Sequence, residues 1–179
     1  MGEALITRRG SVFGLSDMTL KPLATTSVTY TGEVKTVPIK LPKKVYDYRA
    51  IMITISYNIT TDEKHAGYGK VTMNLGGATS IGLDTFWMGS TSEAPCTSTG
   101  TTRQVFIPMV FDPSAYGTVS PLYVSIVWDG STGNHVLASD VFNVASFESL
   151  NTDTLNMVLP DDNFISISSG SFTFEISGC

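Results

Sequence analysis

YRAIMITISYNIT, residues 48–60, decides the fold class. Ile51, Ile53, Ile55, Tyr57 and Ile59 fall on every second position, with Ala50, Met52, Thr54, Ser56 and Asn58 between them. Successive side chains of a β-strand point to opposite faces, so this spacing gives one apolar face and one more polar face. A helix would scatter the same isoleucines around its axis, because its faces repeat at roughly 3.6 residues. The β-branched side chains agree, since their stiff χ1 suits a pleated surface. The isoleucine face is therefore core, and a strand with one buried face needs a second layer to cover it.

Outward from this stretch the same signals recur. VKTVPIKL (34–41) alternates, but Pro38 lacks a backbone N–H and confines the segment to a sheet edge. After the polar turn TDEKHAGYG (61–69), YGKVTMNL (68–75) is expected to return as the hairpin partner of 48–60. A short strand is expected at 81–88, then a mobile Gly/Ser/Thr loop at 89–101 offering a contact surface. Strands follow at 102–111, 119–128, 136–147, 164–168 and 171–177, divided by DPSAYG, DGSTGN, PDDN and SSG. Residues 146–157 (SFESLNTDTLNM) are expected to form a loop with a short helix. About eight or nine short strands without intervening helical patterns predict an all-β, antiparallel β-sandwich or jelly roll.

Composition supports this. Among 179 residues, 42% are apolar and only 15% charged, so Ser, Thr, Asn and Gly carry the polarity and disorder is disfavoured. A chain of this length buries roughly 70% of its unfolded surface and needs no metal or disulfide to hold a core. One domain is expected over 26–179, preceded by an extended N-terminal arm at 1–25 that contains Arg8, Arg9, Gly10, Gly14 and Pro22. No run approaches the roughly 18 apolar residues of a membrane helix, and MGEALITRRGS lacks the apolar centre of a secretory leader, so no membrane partner is expected. Residues 1–70 carry ten Lys and Arg against six acids, and residues 71–179 carry Arg103 against ten acids. Such asymmetry suits either two faces of opposite sign or a fold that mixes both halves over one surface.

Little in the chain points to catalysis. His65 and His135, the only histidines, lie in polar turns, and neither has a nucleophile and orienting group in an evident pattern. No catalytic residue, metal ligand set or cofactor is expected: Cys96 has no Cys or His at ligand spacing, and the acids of DGSTGN and PDDN read as turn formers before calcium ligands. A bridge between Cys96 and Cys179 would require the C-terminus to lie beside the loop holding Cys96. Trp87, Trp128 and Tyr68, with Tyr116, are the candidates for an aromatic platform that stacks a sugar ring, although a core position suits Trp128 better. A net charge of −5 argues against nucleic acid, whose phosphates call for a basic patch.

The opening MGEALITRRGS, above all ALITRRG at 4–10, resembles the start of tail-associated proteins, including fibre and baseplate components, of bacteriophages and prophages that infect Gram-positive bacteria. The resemblance covers about a dozen residues. It implies a virion structural protein whose N-terminal segment, through Leu5, Ile6, Arg8 and Arg9, docks onto another virion protein. The partners it implies are other virion proteins, copies of the chain itself and a host cell-surface glycan. Where that family continues into Gly-rich repeats, this chain has Ser11, Val12 and Phe13, which keeps capsid decoration and other head roles open beside tail, baseplate and fibre. A carbohydrate-binding β-sandwich module is the competing expectation.

Overall fold

The structure is a computed structural model that describes residues 19–76, 80–108, 120–128, 137–144, 150–160 and 166–179. For Tyr68, Ser80, 84–87, 106–107, 120–128 and 137–144 it describes the backbone alone. Ten strands run through these residues: β1 (Lys21–Thr29), β2 (Lys35–Lys40), β3 (Ile51–Thr61), β4 (Ala66–Asn74), β5 (Ser80–Gly89), β6 (Cys96–Pro108), β7 (Ser120–Trp128), β8 (Leu137–Val144), β9 (Thr154–Leu159) and β10 (Ile167–Gly178). A single 3-10 turn, Val45–Asp47, lies between β2 and β3.

The strands form two antiparallel sheets, a large one ordered β1-β10-β3-β6-β7-β8 and a small one ordered β2-β9-β4-β5. Leaving β7 and β8 aside, the strands pair as nested partners: β1 with β10, β2 with β9, β3 with β6 and β4 with β5. This is the wrapping of a jelly roll, one long antiparallel ladder folded over so that its strands fall alternately into two sheets. The pair β7–β8 extends the large sheet beyond β6. Among the connections, only β4–β5, β6–β7 and β7–β8 stay within one sheet.

The core forms where the alternation predicts it. From the large sheet, Ile51, Ile53, Ile55, Ile59, Phe172, Phe174 and Ile176 are buried. They meet Val37, Ile39, Val71, Met73, Ile81, Leu83, Leu155, Met157 and Leu159 of the small sheet. Burial of each such side chain is worth about 1.5–3 kcal/mol, which is why two sheets with alternating faces close on each other. Tyr30 seals one end: its ring meets Phe172 edge to face at 5.2 Å, and its hydroxyl donates to the Pro160 carbonyl at 2.9 Å. Gly100 leaves room for the Tyr57 ring, whose nearest atoms would lie 2.6 Å from a Cβ added there.

Pro38 stands as expected in an edge strand, since β2 pairs with β9 alone among the described strands. Several expectations need correction. Segments 48–60 and 68–75 are not hairpin partners, because β3 lies in the large sheet and β4 in the small one. A four-residue connection, 62–65, fits a crossing between layers as well as a turn within one. The loop expected at 89–101 is confined to 90–95: β6 begins at Cys96 and pairs with β3 from Thr61↔Cys96 onward. Its polar side chains hid it, and β3's backbone groups supplied the partner that fixes it as a strand.

Of the loop with a short helix expected at 146–157, residues 146–149 lie outside the described residues; from Thr154 the chain is the strand β9, where Leu155, Met157 and Leu159 alternate into the core. Residues 167–168 and the segment 171–177 belong to one strand, β10, with a register shift between Ile167 and Ser169, while residues 164 and 165 lie outside the described residues. Lys21 to Thr25, assigned by sequence to the arm, lie in β1 and pair with β10. The two differently charged halves interleave, for β1, β2 and β3 of the first half each neighbour a strand of the second.

Candidate functional site

The residues singled out by sequence are described only in part. Leu5, Ile6, Arg8 and Arg9 lie outside the described residues, as do Tyr116, His135 and the segment 129–134. Tyr68 of β4 and Trp87 of β5 are direct register partners in the small sheet. Trp128 ends β7 in the large sheet, opposite Thr102. The proposed aromatic trio is thus split between the two sheets, with Tyr68 and Trp87 paired; the side chains of all three lie outside the described part. His65 is exposed in the β3–β4 connection, its backbone N–H donating to the Glu63 carbonyl at 2.9 Å. Cys96 and Cys179 are both free thiols, and Cys96 is a strand residue, not a loop residue. Among the described residues no group of three or more His, Cys, Asp or Glu is placed to hold a metal ion. No described helix is long and apolar enough to cross a membrane.

A continuous surface emerges elsewhere, on the outer face of the large sheet. Because the core takes the odd-numbered positions of β3 and the even-numbered positions of β10, the alternate residues of β1, β10, β3 and β6 face outward together. Registers align them in rows: Thr29, Ser171, Asn58 and Thr99 in one, Ser27, Thr173, Ser56 and Thr101 in the next. The following row reads Thr25, Glu175, Thr54 and Arg103. In the middle row Ser27 and Thr173 hydroxyls meet at 2.9 Å, and Ser56 and Thr101 hydroxyls at 3.1 Å. Thr60 and Thr97 repeat the arrangement at 3.1 Å.

Each hydroxyl both donates and accepts, so a face of Ser and Thr can bond to another such face without matching charges. Across these rows Glu175 and Arg103 alone are charged, and they flank Thr54 in register. Thr54 is 7% exposed although it stands on the outer side. The sequence signal for this face was present as TTSVT (25–29) and TSTGT (97–101), but the first was divided by the arm boundary and the second assigned to a loop.

A second surface is basic. Lys35 and Lys40 stand exposed on β2, and Lys43 and Lys44 follow it. Lys40 Nζ pairs with an Asp153 carboxylate oxygen at 3.1 Å, and Lys44 Nζ donates to Asn151 Oδ1 at 2.5 Å. Hydrogen bonds from Lys40 and from Thr154 hold the Asp153 carboxyl below the usual carboxylate range. Burial pushes the Tyr48 phenol up, against the opposing hydrogen bond that its oxygen accepts from the Lys43 backbone N–H.

No family model matches the chain, and no curated protein matches it. Among solved structures the chain is similar to the CBM2 module of the evolved Dit of Lactobacillus casei BL23 phage J-1, at 10% identity and a TM-score of 0.32, covering 79% of this chain and 68% of that one. It is also similar to peanut lectin bound to a nonameric peptide, at 12% identity and a TM-score of 0.33, covering 86% of this chain and 98% of that one.

Proposed function

We propose that this chain is a bacteriophage virion structural protein, of the tail, baseplate or fibre-associated kind, that acts by packing against copies of itself and other virion proteins and not by catalysis. The observation that carries the proposal is the outer face of the large sheet, four strands wide, with hydroxyls in register and a single charged row. Covering such a face removes few charges from water, and desolvated charges are what most often makes an interface costly. Short Ser and Thr side chains also lose little rotamer entropy when ordered against a partner. The N-terminal resemblance at 4–10 supports the phage assignment. Jelly rolls serve in viral capsids and in lectins alike, so fold analogy by itself supports assembly and glycan binding equally.

Light scattering on the full chain over a concentration series tests the proposal. Multimers are expected, and Ser56→Lys with Thr99→Lys on the outer face should shift them to smaller species while the circular dichroism stays that of a β-protein. A chain that remains monomeric throughout would refute it.

The register of Tyr68 against Trp87 favours a second reading, a glycan-binding module that recognises a host surface. Directly opposed strand residues have Cα atoms roughly 4.5–5.5 Å apart, a spacing at which two aromatic residues can serve one sugar ring. In that case a glycan array gives a specific signal that Trp87→Ala abolishes, and the chain binds as a monomer.

A further inference from the structure

We infer that β1 is an interface strand that pairs antiparallel with β1 of a second copy, joining two large sheets into one across a two-fold axis. The inference rests on the assembly reading and names its partner. Among the described strands β1 has β10 on one side and nothing on the other. A nine-residue edge presents a row of unpaired N–H and C=O groups that can template another strand, and folded proteins usually blunt such edges. The small sheet does so. Its edge strand β2 is six residues long and carries Lys35, Pro38 and Lys40. In β1 the corresponding devices, Lys21 and Pro22, stand at the very start, and Leu23 to Thr29 carries neither charge nor proline. Lys35 Nζ donates to the Thr29 carbonyl at 3.3 Å, which marks where the open stretch ends.

The chemistry of this edge selects a second β1. Thr25, Ser27 and Thr29 are its exposed outward residues. Two identical strands related by a two-fold axis normal to the sheet place residue i opposite a residue of the same parity. An axis through residue 27 therefore sets Ser27 opposite Ser27 and Thr25 opposite Thr29. Such hydroxyl pairs already join β1 to β10, β3 to β6 at Ser56 and Thr101, and β3 to β6 again at Thr60 and Thr97. On the inner side Ala24 and Val28 are only half-buried against the core, and an added strand would finish covering them. An isologous pairing closes at two copies and uses up both edges, so it does not propagate.

Two measurements on the full chain test this. Wild type is expected to assemble in even multiples of the chain mass, and Ser27→Lys, which sets like charges near the axis, should weaken association at least about a hundredfold with unchanged circular dichroism. In a Cys96→Ser, Cys179→Ser background, Ser27→Cys should be linked into a covalent dimer by a short bis-maleimide, whereas Lys64→Cys, exposed in the β3–β4 connection and away from both the β1 edge and the outer face, should not. If Ser27→Lys fails to fold, the cross-link decides. A multimer that ignores Ser27→Lys and gives no cross-link through position 27 overturns the edge pairing and leaves assembly standing. A monomer at every concentration overturns both.

Discussion

Cys96 and Cys179 occupy opposite ends of β3. Cys96 stands across from Thr61, whereas Cys179 donates its N–H to the Ala50 carbonyl at 3.2 Å and accepts at its own carbonyl from the Arg49 N–H at 2.7 Å. Eleven residues of extended chain at roughly 3.3 Å each separate the two positions by about 35 Å. A disulfide needs Cα atoms within about 7 Å. Both thiols should therefore alkylate in the native chain, and oxidation should leave no internally bridged monomer in intact mass or on a non-reducing gel. The same bonds tie Cys179 to the residues that lead into β3.

The two faces of β3 should respond unequally to truncation. Ile55 is completely buried between Phe174 and Thr102 in register, while Asn58 is exposed on the outer face. Ile55→Ala should cost about 2–5 kcal/mol through lost burial and the cavity left behind. Asn58→Ala should stay within about 0.5 kcal/mol. Chemical denaturation of the two variants side by side checks the difference, and equal losses would contradict the assignment of faces.

Gly89 ends β5 with φ of +76°, and a Cβ there would run into the backbone carbonyl of His65. Neither the dihedral nor the carbonyl can give way cheaply, because the β3–β4 connection is held to the end of the strand. Gly89→Ala should lower stability by about 1–3 kcal/mol, seen as an earlier unfolding midpoint at unchanged denaturant slope.

Lys40 and Thr154 lower the pKa of Asp153 in the folded chain. A carboxyl whose folded value lies below its unfolded value near about 3.9 favours folding fully above the unfolded value and loses that contribution as pH falls through the folded one. The ion pair is exposed, so its contribution is small and salt-sensitive. Lys40→Ala should raise the Asp153 titration midpoint toward the ordinary carboxylate range, as read from its carboxyl carbon by NMR, and the gap between variant and wild type should shrink with added salt.

The β-class, the apolar face of β3 and the edge position of β2 were legible in the order of residues, because side-chain alternation and the missing N–H of Pro38 are properties of a few adjacent residues. Which strand neighbours which was not. The four residues between β3 and β4 serve a hairpin or a crossing equally well, and the choice falls to burial of Val71 and Met73 against the opposite layer. β6 from Cys96 and β9 from Thr154 exist because neighbouring strands offer backbone donors and acceptors that must be met, a long-range demand that polar stretches such as TSTGT do not announce. The hydroxyl rows have the same origin: Thr25, Ser27, Ser56, Thr101 and Thr173 are scattered over most of the chain, and register alone brings them onto one face.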